Sequence, residues 1–184
     1  MKKILNCFGY NNSEQINYPL IPRIKDRIIF LDVDGVLNSI EYCKHIKLSN
    51  NETYGVSRSL MNKLSILIES TESDVVLSST WRLEKHKLIE LKKELEKINV
   101  KIYSITPDLS NGQGDRVDEI YQWIENYNVK NLYWIALDDM DLTRFNPKIE
   151  AINFVKVSEL VGLTNANISE AITKMRDQLN LKGN

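Results

Sequence analysis

The sequence predicts an α/β sandwich built on a mainly parallel central sheet, and two observations carry that reading. Three apolar runs, Ile28-Ile29-Phe30-Leu31, Val75-Val76-Leu77 and Tyr133-Trp134-Ile135-Ala136-Leu137, each end abruptly in polar residues, as strands covered on both faces do. Between them lie longer stretches with apolar residues at helical spacing. Alternation of the two is the pattern of a sheet joined by crossover helices. Parallel strands would bring all three polar endings to one rim, the edge where open α/β sheets bind ligands.

Residues 1–26 read as an N-terminal extension ahead of a domain spanning 27–184. The extension is polar at Asn11-Asn12-Ser13-Glu14-Gln15, and Pro19 and Pro22 deny it a regular element. A first strand over 27–33 runs into Asp32-Val33-Asp34-Gly35, where the glycine allows a sharp departure. Two carboxylates so close repel unless a cation lies between them or one is protonated. Residues 39–56 carry Tyr42, His45 and Tyr54 among Lys44 and Lys47. Ser57 is a candidate cap for a helix whose Leu60, Met61, Leu64, Leu67 and Ile68 share one face. A second strand covers 75–78.

Residues 81–98 then read as one long helix with Leu88, Leu91, Leu95 and Ile98 inward. Its lysines alternate with glutamates at three- and four-residue offsets, which predicts a solvated, ion-paired face rather than a nucleic-acid surface. A third strand covers 100–105. Asp115 caps the next helix, with Val117, Ile120, Tyr121 and Ile124 inward. Arg116 falls at the first position of that helix, where the dipole disfavours a cation, so it needs a local anionic reason. Strands over 132–137 and 152–157 follow. The last helix carries Ile168, Ala171, Ile172, Met175 and Leu179 inward, capped by Thr164 or by an Asn167–Glu170 box.

A chain of 184 residues is long enough for one domain with a sizeable core. The formal net charge of −1 supplies no global field to recruit nucleic acid or anionic membrane. Cys7 and Cys43 lack metal-type spacing and read as reduced thiols. No apolar run approaches the ~20 residues that span a bilayer. The run from Ile4 to Phe8 behind Met1-Lys2-Lys3 is too short for a signal peptide and is broken by Asn6. These features predict a cytoplasmic protein with no membrane contact and no evident obligate protein partner.

The polar endings form an ordered set: Asp32-Val33-Asp34-Gly35, Ser78 closing the second strand, Arg116, and Asp138-Asp139 closing the fourth. This set resembles the four motifs of the haloacid dehalogenase-like (HAD) superfamily, most of whose members are phosphatases. The strings FLDVDGVLN, VLSSTWR, RVDEIYQWI and ALDD are similar to those of small HAD domains found alone or fused to nucleic-acid repair enzymes. The likeness covers residues 28–181. It implies a Rossmann-like three-layer sandwich, with 39–56 as a flap and no cap domain. It further implies Asp32 as nucleophile, Asp34 as general acid and then base, Ser78 on a phosphoryl oxygen, and Arg116 in the third motif, where lysine is commoner. Metal ligands by the same likeness are Asp32, the Asp34 main-chain oxygen and Asp138, with Asp139 acting through water and the order within the Asp138–Asp139 pair left open. Ser79, Arg82 and Asn38 are candidate substrate contacts. For Arg82 a salt bridge to a nearby carboxylate is the equal alternative.

The residues themselves give part of this chemistry. An ionised aspartate attacks phosphorus without a helper base. An all-oxygen, carboxylate-rich rim calls for a hard cation, Mg²⁺ first. The substrate is then a phosphorylated small molecule or a nucleic-acid end, with Tyr42 and Tyr54 available to stack on a base and Lys44, Lys47 and Arg82 near a neighbouring phosphate. The alternatives are a noncatalytic phosphate-binding module that keeps the fold, and a small-metabolite phosphatase. A dehalogenase is disfavoured, because those relatives lack the second acid at the position of Asp34.

Overall fold

The computed structural model describes residues 25–48, 55–112 and 114–182. Cys7, Tyr54 and nearly all of the 1–26 extension lie outside them. The strands are β1 (Arg27–Leu31), β2 (Asp74–Leu77), β3 (Ile102–Ile105), β4 (Tyr133–Asp138) and β5 (Phe154–Lys156). They lie side by side in the order β3-β2-β1-β4-β5, every neighbouring pair parallel. The helices are α1 (Ile40–Leu48), α2 (Arg58–Thr71), α3 (Lys85–Glu96), α4 (Arg116–Tyr127), the single turn α5 (Leu142–Phe145) and α6 (Asn165–Lys182). No helix of the described residues is long and apolar enough to cross a membrane.

The period of two along β1 divides the core. Ile29 and Leu31 face one layer, packed with Leu60, Leu64 and Leu67 of α2, Leu91 and Leu95 of α3, and Ala171 and Met175 of α6. Ile28 and Phe30 face the other, with Val117, Ile120 and Trp123 of α4. The Phe30 ring meets Trp123 and Trp134 edge-on at 5.3 and 5.5 Å, geometry that adds to area burial. Each such fully buried apolar side chain contributes roughly 1.5–3 kcal/mol. Two helical layers about one sheet give the predicted three-layer sandwich.

The strand order places the site. From β1 the chain moves to β2 and β3 on one side, then crosses back to β4 on the other. The reversal leaves a crevice at the C-terminal ends of β1 and β4, where ligands bind in open α/β sheets. Leu31 is level with Leu77 and with Leu137 in the sheet register. The pairing continues one residue further: the Asp32 amide donates to the Leu137 carbonyl at 3.0 Å and the Ser78 amide to the Leu31 carbonyl at 2.9 Å. Asp32, Ser78 and Asp138 therefore stand in one row.

Three expectations are corrected locally, and one alternative is decided. Strand β1 stops at Leu31, because the Val33 carbonyl accepts the amides of Val36, Leu37 and Asn38 and folds the chain into a tight loop. Residues 81–98 are not one helix. A 3₁₀ turn, Thr80–Leu83, precedes α3, and Glu84 between them is extended. The break arises because Arg82 binds backbone carbonyls outside any helix, and a tertiary contact of that strength overrides helical periodicity. Ser57 holds the N-cap position of α2 without a side-chain bond; its amide donates to the Leu37 carbonyl instead. At α6 the cap is Thr164, whose hydroxyl accepts the Asn167 amide while Asn167 Oδ1 accepts the Thr164 amide.

Candidate active site

Asp32 is the first residue past β1 and is only 5% exposed. A buried carboxylate needs a partner, and Arg116 is that partner. Its Nη1 donates to Asp32 Oδ1 at 3.0 Å and to Asp138 Oδ2 at 2.8 Å. Arg116 starts α4, which Asp115 caps by accepting the amides of Val117 and Asp118, while Asp118 accepts the Asp115 amide in return. The Asn146 amide holds Asp115 from behind, at 3.1 Å to each oxygen. A reciprocally capped helix end thus aims the guanidinium across the sheet edge. Burial works against its charge, but the Asp138 and Asp32 carboxylates outweigh burial and hold the proton more firmly.

Asp138 ends β4 and is buried. Burial first, and the Asp32 charge second, push its carboxyl up to about 7, against the pull of Arg116 and the Met140 amide. Asp139 is raised by the same two causes. Asp32, Asp138 and Asp139 each offer an oxygen, and these oxygens lie within 4.8 Å of one another. Three clustered hard oxygens, two of them on carboxyls that burial holds protonated more firmly, fit a hard divalent cation. Gly35 makes the cluster possible. Its φ is +76°, and a Cβ there would lie 2.5 Å from the Asp139 carboxyl carbon.

Asp34 is exposed, two residues beyond Asp32. The buried Trp81 donates its indole N–H to Asp34 Oδ2 at 2.8 Å, and Asn38 donates its amide to Oδ1 at 3.1 Å. Asp34 and Asp139 form one wall of a cavity of about 440 Å³, whose other wall is α1 with Cys43, Lys44 and Lys47.

Strand β2 is followed by Ser78-Ser79, both buried. Ser79 caps the 3₁₀ turn by accepting the Trp81 amide. Arg82 spends all five donors inside the protein. It binds the carbonyls of Ser78, Ser79, Thr106 and Pro107 and forms a 2.6 Å ion pair with Glu119. That is the salt-bridge alternative for Arg82. Burial lowers its pKa, and Glu119 opposes the shift. Glu119 also lies 3.9 Å from Arg116 Nε, so a line of alternating charge runs from Arg82 through Glu119 and Arg116 to Asp32 and Asp138.

Asp32, Ser78, Arg116, Asp138 and Asp139 thus lie around one crevice of a doubly wound sheet. Residues 28–168 match the family model described as the HAD domain in Swiss Army Knife RNA repair proteins. The chain belongs to that family. No curated protein and no solved structure matches it.

Within this HAD domain the structure brings Asp32, Arg116, Asp138 and Asp139 into contact or near contact and sets Ser78 beside Asp32. Asn38 reaches Asp34, and Ser79 and Arg82 are engaged in the loop itself. Tyr42 does not line the cavity; its hydroxyl donates to the Val56 carbonyl. Two residues escaped the sequence reading. Glu119 sat unremarked three residues after Arg116 among inward Val117 and Ile120, and a carboxylate on an apolar stripe is a signal that a buried cation faces it. Trp81 reads as the start of one long helix over 81–98, whereas the structure puts it in the 3₁₀ turn ahead of α3.

Proposed function

We propose that this HAD domain, working as residues 27–184, is a cytoplasmic, Mg²⁺-dependent phosphomonoester hydrolase that acts through an aspartyl-phosphate on Asp32. One observation carries the reading: a buried aspartate held by Arg116 sits within a cluster of three carboxylates, while a second aspartate two residues on stands exposed at a cavity. The Mg²⁺ would be held by Asp32, Asp138, Asp139 and the Asp34 main-chain oxygen, and would neutralise phosphate charge that so acidic a rim otherwise repels.

The chain's own residues do the rest. An Asp32 carboxylate oxygen bonds to phosphorus as the bond to the leaving oxygen breaks. Asp34 gives its proton to that departing oxygen. Asp34 then takes a proton from a water, whose oxygen attacks phosphorus and releases Asp32 and inorganic phosphate. Arg116 and Ser78 supply donors to the equatorial oxygens. Arg82 serves the site indirectly, by holding the Ser78–Ser79 backbone.

The substrate in this reading is the terminal phosphate of a nucleotide or oligonucleotide. The match to domains of RNA repair proteins supports it, as do a cavity of nucleoside size and the two lysines of α1 on its wall. The test is Mg²⁺-dependent release of phosphate from p-nitrophenyl phosphate. It is followed by catalytic efficiencies on 3′- and 5′-phosphorylated oligonucleotides, mononucleotides and sugar phosphates. Preference for nucleic-acid ends bears the reading out; preference for sugar phosphates makes the protein a small-metabolite phosphatase. No release from any of them leaves a noncatalytic phosphate-binding module.

A further inference from the structure

Asp34 is exposed yet held at both ends of its carboxyl group by neutral donors. An exposed aspartate ordinarily samples several rotamers, yet both oxygens of this one are taken. Trp81 holds Oδ2 at 2.8 Å and Asn38 holds Oδ1 at 3.1 Å. Each donor is itself fixed. The Cys43 thiol donates to Asn38 Oδ1 at 2.7 Å, which sets the direction of the amide, and the Asn38 carbonyl accepts the Gly35 amide at 2.9 Å. Trp81 is 5% exposed, rides on the turn that Ser79 caps, and precedes the fully engaged Arg82. The Lys87 ammonium lies 5.5 Å from the centre of its ring.

We propose that Trp81 and Asn38 are positioning residues that clamp the Asp34 carboxyl group toward the leaving oxygen. The proposal rests on the phosphohydrolase reading and deepens it. An indole N–H donates and never accepts, and the Asn38 amide nitrogen is likewise a donor. Neither can take the Asp34 proton, so the clamp leaves that proton for the leaving oxygen or for water. Each carboxyl oxygen keeps a second lone-pair site for this exchange. In the first half-reaction the Asp32–phosphorus bond forms, the phosphorus–leaving-oxygen bond breaks, and the Asp34 proton passes to the departing oxygen. Alignment matters only where that oxygen needs the proton. A nitrophenolate departs without it and an alkoxide does not.

The simpler account is that a buried indole seeks any acceptor, and the two accounts differ in what the leaving group does. The experiment compares Trp81→Phe and Asn38→Ala with the wild type, in Mg²⁺, on p-nitrophenyl phosphate and on glycerol 2-phosphate. A misaligned general acid gives up part of its rate contribution in the step that expels the leaving group, so kcat/KM on the alkyl ester should fall about tenfold or more and on the aryl ester about twofold or less. Hydrolysis of the aspartyl-phosphate is common to both esters and does not enter that ratio. Equal losses in kcat/KM on the two esters overturn the clamp while leaving the phosphohydrolase reading in place. If Trp81→Phe melts below the assay temperature, Asn38→Ala carries the same comparison, since Asn38 is only partly buried. A wild type that releases phosphate from neither ester, nor from a phosphorylated oligonucleotide end, overturns the phosphohydrolase reading and the clamp with it.

Discussion

Asp32 and Asp34 are separated by one residue and live in opposite surroundings. Asp32 is buried, faces Arg116, and shares its space with Asp138 and Asp139. Asp34 is exposed, faces a cavity, and among the described residues bonds to two neutral donors, an indole and an amide. A strand residue and the residue two further on would point the same way. Here the strand stops at Leu31, and the loop closed on the Val33 carbonyl turns Asp34 away. Two identical side chains thereby meet different surroundings: one lies among charged groups, the other faces solvent and the cavity. On the proposed phosphohydrolase reading, that difference in environment is what separates acid from nucleophile.

Four measurements test that contrast. The largest effect belongs to Asp32→Asn, which keeps shape and removes the attacking charge. Turnover should fall by ~10³-fold or more, equivalent to about 4 kcal/mol of barrier, on aryl and alkyl esters alike. The variant should melt no lower than the wild type in chelator, because one of three crowded carboxylates is gone. Appreciable activity from a clean preparation would remove the covalent step. Asp34→Asn comes next. A lost general acid costs roughly 10²–10⁴-fold, and in kcat/KM, which reads the step that expels the leaving group, the loss should be concentrated on alkyl esters. A uniform loss in kcat/KM across leaving groups would erase the distinction between the two aspartates.

The third measurement concerns the scaffold behind them. Arg82→Ala leaves Glu119 buried without its 2.6 Å partner, and breaking a buried pair costs about 3–5 kcal/mol. Denaturant unfolding should show that loss, and a change below about 1 kcal/mol would mean that water replaces the guanidinium. The smallest effect is on metal affinity. Asp138 is held up to about 7 against an ordinary 3.8, so the folded protein carries an extra proton between those values. In metal-free protein this group's contribution to stability therefore falls as pH rises through that window. Mg²⁺ must displace the proton, so its affinity should weaken about tenfold per pH unit below 7. Calorimetry across pH 5–8 reads the slope. Asp34→Asn, which leaves the main-chain oxygen in place, should not change it; a flat profile would separate Asp138 from the metal.

Much of this was legible in the chain alone. The continuous apolar runs of β1 and β4 mark strands buried on both faces, because only a doubly covered strand tolerates apolar residues at every position. Their polar endings mark the rim, because a carboxylate cannot continue into such a core. Asp115 and Asp118 announce a capped helix through backbone donors only three residues apart. The misplaced cation Arg116 points to an anion, since a helix start repels it otherwise.

Tertiary structure alone decided the rest. Residues 81–98 have helical periodicity throughout, yet Arg82 finds four carbonyls from two different loops and an ion pair on α4, contacts that no local pattern encodes. That choice breaks the helix and delivers Trp81 to Asp34. The pairing of Glu119 with Arg82 spans 37 residues of chain, and the pairing of Arg116 with Asp32 spans 84. Sequence spacing records which residues exist and their local rhythm. Which charges are desolvated together depends on how the sheet closes, and that closure sets the burial and the neighbours on which the chemistry of each carboxylate depends.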